Sequence, residues 1–199
     1  MVNFVSRNRV SRNRDKVVEE KGWVLAGIMV RTPRDVTPRT WRPGGENYIF
    51  LAHGSARSPG RFEFEVKTTV NSRSNLEVSP ASGPDVTIQI ARIGSEFILL
   101  RKDGDRSWEV HRRYRRSDMP PELQVGLTVY TDYGSASRLP PAQHNTQVIR
   151  GGNPDLRASF DFVRFSRPRL TSERQGRSLS EPSQVSDAEL LRFLGEAVD

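Results

Sequence analysis

Apolar and polar residues alternate over several short segments of the chain. In residues 61–70, Phe62, Phe64 and Val66 alternate with charged or polar side chains, and residues 86–92 show the same two-residue period. Because successive side chains of a β-strand point to opposite faces, this period predicts half-buried strands.

Residues 86–133 contain four such segments, separated by turn residues such as Asp103-Gly104, and they form the predicted β-meander at the centre of the fold. Residues 23–31 are a near-continuous apolar run, which predicts a strand covered on both faces. Gly27 within it indicates a close backbone approach or a bulge. Residues 71–85 are polar and turn-rich, so no strand is predicted there. Short strands without intervening helices predict an all-β, antiparallel two-sheet β-sandwich or jelly roll.

The N-terminal segment carries a tandem basic repeat, Val5-Ser6-Arg7-Asn8-Arg9 followed by Val10-Ser11-Arg12-Asn13-Arg14. So polar a segment cannot bury itself, and we predict a basic disordered leader over residues 1–19. The chain has 31 Lys and Arg against 24 Asp and Glu, a net charge of +7, and this repeat supplies four of the arginines. The less favoured alternative is a basic arm that contacts nucleic acid through Arg7, Arg9, Arg12 and Arg14.

The C-terminal part of the chain differs from the predicted sandwich, which spans residues 20–167. Residues 168–185 are polar and are predicted to be a linker. Ser186-Asp187-Ala188-Glu189 is a capping box, and the apolar residues behind it predict an amphipathic helix over residues 186–199. A helix of about 12 residues is marginally stable alone, so we expect it to dock on the sandwich or on a partner.

Composition removes several classes of function. The chain has no Cys, which excludes disulfides, thiolate metal sites and cysteine nucleophiles. The sequence contains no run of 18 apolar residues, so no membrane span is predicted. Residues 1–14 lack the apolar core of a signal peptide. His53, His111 and His144 are far apart and show no metal-binding spacing, so we predict neither a metal site nor a cofactor.

The apolar strand at residues 23–31 carries a family resemblance. Its Trp23, Ala26-Gly27-Ile28-Met29 and Arg31 resemble the Trp-x-x-Ala-Gly-(Leu/Ile)-Met-x-Arg strand of bacterial concanavalin A-like, laminin G-like jelly-roll domains. Later segments of the chain resemble the following strands of that family in the same order: residues 48–51, 62–69, 86–92, 125–129 and 158–165. The Asp103-Gly104 turn and Trp108 also resemble the family, although the spacing between turn and tryptophan is one residue longer here. The resemblance covers residues 20–166.

The resemblance implies a carbohydrate-associated and mostly non-catalytic module. Most relatives are secreted, so it implies a secreted or periplasmic protein if the true start lies upstream of Met1, and the compartment is otherwise open. Family domains have several more strands before the Trp-x-x-Ala-Gly segment, so we expect a sandwich without its first strands. An unpaired sheet edge, or the C-terminal helix, would then allow self-association. Calcium binding is implied only by analogy with the fold.

Glu63 and Glu65 offer an enzymatic alternative. Same-face strand residues two apart are separated by about 6.6–6.8 Å, and glycosidases use two carboxyl groups roughly 5–9 Å apart. Glucanase relatives on this fold carry three acidic residues on such a strand, whereas Arg61 and Lys67 flank the pair here. A ladder of mixed charge is typical of a solvated face, so hydrolysis is the less favoured hypothesis.

A second basic cluster, Arg112-Arg113-Tyr114-Arg115-Arg116, interleaves arginines with an aromatic residue as single-stranded nucleic-acid sites do. Within a strand, however, successive arginines would point to opposite faces rather than line one groove. Nucleic acid is therefore not an expected partner of this cluster.

For a glycan site, the candidates are aromatic and acidic residues near loops: Trp41, Tyr48, Tyr130, Asp132 and Tyr133. Aromatic rings stack on the C–H faces of sugars, and carboxylates accept hydrogen bonds from hydroxyl groups. We therefore predict a non-catalytic carbohydrate-binding or adhesion module whose partner is a glycan or polysaccharide. A glycoside hydrolase-like enzyme on the same fold and a basic-arm, nucleic-acid-associated protein are the alternatives.

Overall fold

The structure of the protein, a computed structural model, describes residues 2–12, 23–57, 60–154, 156–167 and 175–195, with side chains of the first strand described for residues 5–7 only. Within these ranges the elements are β1 (Val2–Arg12), β2 (Val24–Arg31), β3 (Tyr48–Ser55), β4 (Glu63–Val70), β5 (Arg73–Pro80), β6 (Asp85–Ile93), β7 (Glu96–Asp103), β8 (Glu109–Arg115), β9 (Gln124–Tyr130), α1 (Tyr133–Ala136), α2 (Pro141–His144), β10 (Leu156–Ser166) and α3 (Asp187–Leu194).

The strands form two five-stranded antiparallel sheets. Sheet A has the order β10-β1-β6-β7-β8, and sheet B has the order β5-β4-β3-β2-β9. The predicted two-sheet β-sandwich with a short C-terminal helix is confirmed. The predicted meander corresponds to β6, β7 and β8 in sheet A, followed by β9, which belongs to sheet B. Among the described residues, no helix has the length and apolar character needed to cross a membrane.

The main core lies between the two sheets and follows the two-residue period of the strands. Sheet A contributes Val86, Ile88, Ile90, Phe97 and Leu99, and sheet B contributes Ile28, Val30, Ile49, Leu51, Phe64 and Val66. Removing each large apolar side chain from water stabilises the fold by about 1.5–3 kcal/mol, so this layer holds the two sheets together.

The N-terminal repeat is a strand, and the prediction of a disordered leader is wrong for residues 2–12. β1 lies inside sheet A, where it pairs with β10 on one side and β6 on the other. Val5 and Ser6 are buried and Arg7 is exposed. Pairing on both sides satisfies the backbone of a polar segment that could not fold alone, so the tertiary context overrides composition. Arg14 and the other residues of 13–19 lie outside the described residues.

β5 occupies part of the segment in which no strand was predicted. Asn71 and Ser72 both have positive φ, at 48° and 65°, and join β4 to β5. Such a pair is typical of the tight turn that matches the twist of a hairpin. β5 has β4 as its strand neighbour and lies at an edge of sheet B, so a polar strand can form there.

Residues 175–195 pack on the outer face of sheet A, and the prediction of a linker is wrong for residues 175–185. Leu179, Val185, Leu190 and Leu194 are buried against Ala91, Ile98 and Leu100 of the sheet. Arg113 of β8 donates to the carbonyl oxygens of Leu179 (3.1 Å) and Val185 (2.6 Å). The expected docking of the C-terminal helix on the sandwich is confirmed, with the Ser186–Glu189 capping box at its start. We call residues 175–195 the C-terminal cover.

Candidate functional site

The outer face of sheet B is formed by the alternate strand residues that point away from sheet A. Register places Glu65 opposite Ala52, Ala52 opposite Gly27 and Gly27 opposite Thr128. The neighbouring rows are Lys67, Phe50, Met29 and Gly126 on one side, and Glu63, Gly54, Leu25 and Tyr130 on the other. Most of the predicted site residues therefore lie on or beside one face of one sheet.

The central positions of this face are small and buried, and Ala52 and Glu65 have no exposed surface. A side chain at Gly27 would place its Cβ atom 2.1 Å from the Leu51 carbonyl oxygen, so only glycine fits there. This agrees with the close backbone approach expected at Gly27. On the same face Leu25, Phe50 and Ala52 form a small buried cluster, against which Trp23, Tyr48 and Tyr130 pack.

A tyrosine crosses the outer face to reach a buried glutamate. Tyr130, at the end of β9, donates its hydroxyl to Glu65 Oε2 on β4 at 2.6 Å, although two strands separate them. Lys67 Nζ lies 3.5 Å from Glu65 Oε1 and 5.2 Å from the centre of the Tyr130 ring. Phe50 supports the same ring at a centroid distance of 5.7 Å. Polar and aromatic groups therefore meet in one small area.

The electrostatics of this group keep the phenol protonated. Burial raises the pKa of Tyr130, and the negative charge and hydrogen bond of Glu65 raise it further. Glu65 is fully buried, and its Oε1 atom has no hydrogen-bond partner among the described residues. The nearest charge to that oxygen is the Lys67 ammonium, which compensates the buried carboxylate.

Glu63 and Glu65, the catalytic candidates, lie on the same face in adjacent rows but have separate structural partners. Glu63 Oε2 accepts hydrogen bonds from the backbone N–H groups of Ala56 (3.0 Å) and Arg57 (2.9 Å). These bonds close the turn after β3. Because Glu65 is covered by Tyr130 and Lys67, the arrangement does not present two accessible carboxyl groups to one substrate bond.

Aromatic side chains extend the face beyond the end of β9. The rings of Trp23 and Tyr133 are tilted against each other with centroids 6.1 Å apart, and Tyr133 is 50% exposed. Trp23 has a positive φ of 71°, and its N–H donates to the carbonyl oxygens of Ser55 and Ala56, both at 2.8 Å. Positive φ in a bulky residue costs energy, so this conformation is held by its surroundings.

Asp132 fixes the loop that follows β9. Its Oδ1 accepts from the Ser135 N–H (3.3 Å) at the start of α1, and its Oδ2 accepts from the Asn153 N–H (2.6 Å). Burial is the largest single effect and opposes ionisation, but these hydrogen bonds and the charge of Arg138 together outweigh it and lower the pKa of Asp132. The carboxylate thus holds the turn that carries Tyr133.

Trp41 and Tyr48 lie at the opposite end of sheet B. Tyr48 is the first residue of β3 and pairs with Arg31. Trp41 belongs to the loop between β2 and β3, and its Nε1 donates to Glu46 Oε1 at 3.0 Å. Tyr130 pairs with Leu25, so the two ends are about 20 Å apart along β2, at a rise of about 3.3 Å per residue. This distance separates the backbones only, because the Tyr48 and Tyr130 side chains pack against the same buried cluster of Leu25, Phe50, Ala52 and Ala56.

The basic residues do not form one groove. Arg112 pairs with Glu77 at 2.6 Å, toward sheet B, whereas Arg113 pairs with Asp187 of the C-terminal cover. Arg116 is buried and pairs with Asp118 at 2.7 Å. This is the division between faces that strand alternation predicts. Of the four arginines of the N-terminal repeat, Arg7 is described and lies 3.5 Å from Asp161.

Two of the three histidines are buried beside the Phe64 ring. The centroid distances are 5.4 Å for His53 and 5.8 Å for His111. Burial lowers the pKa of His53 to about 4, against a hydrogen bond to the Gly83 carbonyl oxygen that raises it. Burial lowers the pKa of His111 to about 3, and the charges of Arg101 and Arg112 lower it further. The described part of the chain contains no group of three or more His, Asp or Glu residues able to hold a metal ion.

Comparisons with known proteins identify the fold. No protein-family model matches the chain, and no curated protein matches it significantly. Among solved structures, a functionally unknown protein from Saccharomyces cerevisiae is similar, with a TM-score of 0.53, 15% identity, 84% of this chain covered and 71% of that chain.

Two GH43 proteins are similar as well. The GH43 protein BlXynB from Bacillus licheniformis gives a TM-score of 0.53 at 10% identity over 82% of this chain. The Bacteroides ovatus xyloglucan PUL GH43B protein gives 0.51 at 12% identity over 83%. The chain spans 27% of the length of each. At such low identity these likenesses show a shared β-sandwich fold and nothing about ligands.

Two residues of this face were not among the predicted site residues. Lys67 had a signal, because alternation places it on the same face as Glu65. Trp23 starts the apolar run that predicts a strand covered on both faces, so its sequence context gave no signal for a position at the edge of a site. Its position beside Tyr133 depends on the path of the loop after β9, which the sequence did not reveal.

Proposed function

We propose that the protein is a non-catalytic, concanavalin A-like carbohydrate-binding module that holds a glycan on the outer face of sheet B. The observation that carries this proposal is the half-exposed ring of Tyr133, which lies beside Trp23 and next to the partly exposed Lys67 and Tyr130 group. The aromatic ring can stack on the C–H side of a sugar, and the Lys67 ammonium and the Asp132 carboxylate can hydrogen-bond its hydroxyls.

The positions of Trp41 and Tyr133 beyond opposite ends of sheet B favour an extended ligand. The backbones of Tyr48 and Tyr130 at those ends are about 20 Å apart along β2, at a rise of about 3.3 Å per residue. An oligosaccharide of several rings could contact both Trp41 and Tyr133, whereas a monosaccharide would contact one. The name of the Bacteroides ovatus xyloglucan PUL GH43B protein, which shares the sandwich fold, makes xyloglucan a suitable first probe.

The positions of the carboxylates favour binding over hydrolysis. Glu63 is held by backbone N–H groups of the turn after β3, and Glu65 is held by Tyr130 and Lys67. Inverting and retaining glycosidases both need two carboxyl groups that face the same bond. We therefore expect no hydrolysis of aryl glycosides by the wild-type protein.

The test is binding to a glycan array and to polysaccharide gels by the wild type and by Tyr133→Ala. Tyr133 is half exposed, so its removal should leave the fold intact while weakening glycan binding at least about tenfold, a free-energy change of about 1.4 kcal/mol. The matched control is Phe165→Ala, an exposed aromatic residue of β10 in the other sheet. No retention of the wild type by any glycan, or equal losses in both variants, would refute the proposal.

A further inference from the structure

β9 forms an edge of sheet B, with β2 as its strand partner among the described residues. Its sequence, Gln-Val-Gly-Leu-Thr-Val-Tyr over residues 124–130, contains no charged residue and no proline. Natural proteins usually protect sheet edges with charges, proline or bulges, because an open edge pairs readily with another strand. β9 has none of these devices.

The other three edges carry such protection. β5 contains Arg73 and Glu77 and ends at Pro80. β8 contains four charged residues, Glu109, Arg112, Arg113 and Arg115. β10 contains Arg157, Asp161 and Arg164, and its pairing with β1 shifts register opposite Arg7 and Asn8. In a chain of net charge +7, β9 is thus the edge at which two copies would meet without opposing like charges.

Apolar side chains are exposed along this edge. Leu127 and Val129 are 40% and 49% exposed, although both lie on the core side of sheet B, Leu127 opposite Ile28. Beside them an apolar cleft of about 400 Å³ opens between the sheets and is lined in part by Val125 and Phe165. The described residues of sheet A leave this part of β9 partly exposed, with room for additional apolar surface.

We propose that β9 pairs with β9 of a second copy of this chain, antiparallel and about a two-fold axis through Leu127. The register then sets Leu127 opposite itself, Val125 opposite Val129, Gly126 opposite Thr128 and Gln124 opposite Tyr130. The sequence is self-complementary in this register, because the core-side row becomes Val-Leu-Val against Val-Leu-Val. An isologous contact of this kind closes as a dimer.

The pairing joins the two B sheets into one continuous sheet and covers the exposed row. The backbone groups on the free edge of β9 gain partners, and the partner's Val129 lies over Val125 at the border of the apolar cleft. Apolar and β-branched cross-strand pairs each add roughly 0.2–1 kcal/mol to the association. The outer faces of the two copies then lie side by side on the same surface.

The first test measures the molar mass of the full chain by light scattering and sedimentation equilibrium. The wild type should be a dimer, and Leu127→Lys should shift it to monomer, because two lysines would oppose each other on the axis. The matched control is Val70→Lys at the end of β4, where Val70 is 41% exposed, and it should remain dimeric. A monomeric wild type, or a Leu127→Lys variant that remains dimeric, would overturn the proposal.

The second test reads the register by cross-linking and does not depend on the stability of a lysine variant. The chain has no cysteine, so one substitution introduces a unique thiol. Directly opposed strand residues have Cα atoms about 4.5–5.5 Å apart, within the range of a disulfide. Leu127→Cys should form a disulfide dimer on mild oxidation, and Val70→Cys should not.

Val125→Cys supplies the register control. Alone it should not cross-link, because residue 125 of each copy faces residue 129 of the other, whereas an equimolar mixture of Val125→Cys and Val129→Cys should form mixed dimers. Absence of the Leu127→Cys dimer, or cross-linking of Val125→Cys alone as fast as the mixture, contradicts the proposed register.

Discussion

The outer faces of the two sheets are covered in different ways. On sheet A, Ala91, Ile98 and Leu100 are covered by the C-terminal cover, residues 175–195. On sheet B, the central positions are small, and Tyr130 crosses them to reach Glu65. One face is completed by the C-terminal cover, and the other has buried central positions and a half-exposed ring at Tyr133.

The difference lies in what each face presents to its surroundings. Sheet A carries apolar side chains together with Glu96, which accepts hydrogen bonds from the Leu179 N–H at 2.8 Å and from the Ser180 hydroxyl, also at 2.8 Å. These groups hold a specific segment of the chain. Sheet B carries an ion pair with a buried carboxylate, whose desolvation offsets much of its attraction, and a half-exposed ring at Tyr133. We therefore propose binding on sheet B and stability on sheet A.

Acid should weaken the sandwich before it loosens the C-terminal cover. The folded-state pKa values of His53 and His111, about 4 and about 3, lie below the ordinary value of 6.5. Below pH 6.5 the unfolded state therefore binds more protons than the folded state. Stability should fall as the pH drops from 6.5 toward 4, by about 1.4 kcal/mol per pH unit for each histidine.

The cover should respond in a lower pH range. Burial raises the pKa of Glu96, but hydrogen bonds from Ser178, Leu179 and Ser180 outweigh it and lower the net value below 4.5. The contribution of Glu96 to the stability of the folded state is present above pH 4.5 and is lost as the pH falls further. Urea unfolding followed by circular dichroism at successive pH values measures both ranges. A His53→Gln, His111→Gln variant should lose most of the slope above pH 4.5, and an unchanged slope would contradict the assignment.

Leu190→Ala should show that the outer face of sheet A contributes more to the free energy of unfolding than the outer face of sheet B. Leu190 is fully buried between α3 and sheet A, so we expect a loss of about 2–5 kcal/mol in the free energy of unfolding. Tyr133→Ala on the sheet B side should change it by about 0.5 kcal/mol or less, because that ring is half exposed. Urea denaturation of both variants provides the measurement. Similar losses would remove the distinction between a structural and a binding face.

Tyr130→Phe should have an effect smaller than that of Leu190→Ala, and it tests the contact between Tyr130 and Glu65 directly. It removes the hydrogen bond to Glu65 Oε2 and leaves a buried carboxylate with Lys67 as its remaining partner, so we expect a loss of about 1–3 kcal/mol. A double-mutant cycle with Glu65→Leu measures the coupling. If the two substitutions are additive, the pair does not act as one unit.

Prediction from sequence succeeded where the chemistry was local. Alternation at Phe62, Phe64 and Val66 and the capping box at Ser186 were sufficient, because each depends on neighbours a few residues away. It failed for β1 and β5, whose polar sequences become strands only through their partners. The glycan-binding roles of Tyr48, Tyr130 and Tyr133 stay predictions, and the placement of these residues on or beside one face of sheet B depends on strand register, which no local pattern contains.

The sequence by itself determined an all-β sandwich, a capped C-terminal helix and the absence of cysteine chemistry, because period, capping and composition are properties of the chain. The tertiary structure decided which face is covered, that the basic repeat lies inside sheet A, and that Tyr130 reaches Glu65 across two strands. Those contacts join residues far apart in the chain, and their formation depends on packing and strand order, which no local pattern contains.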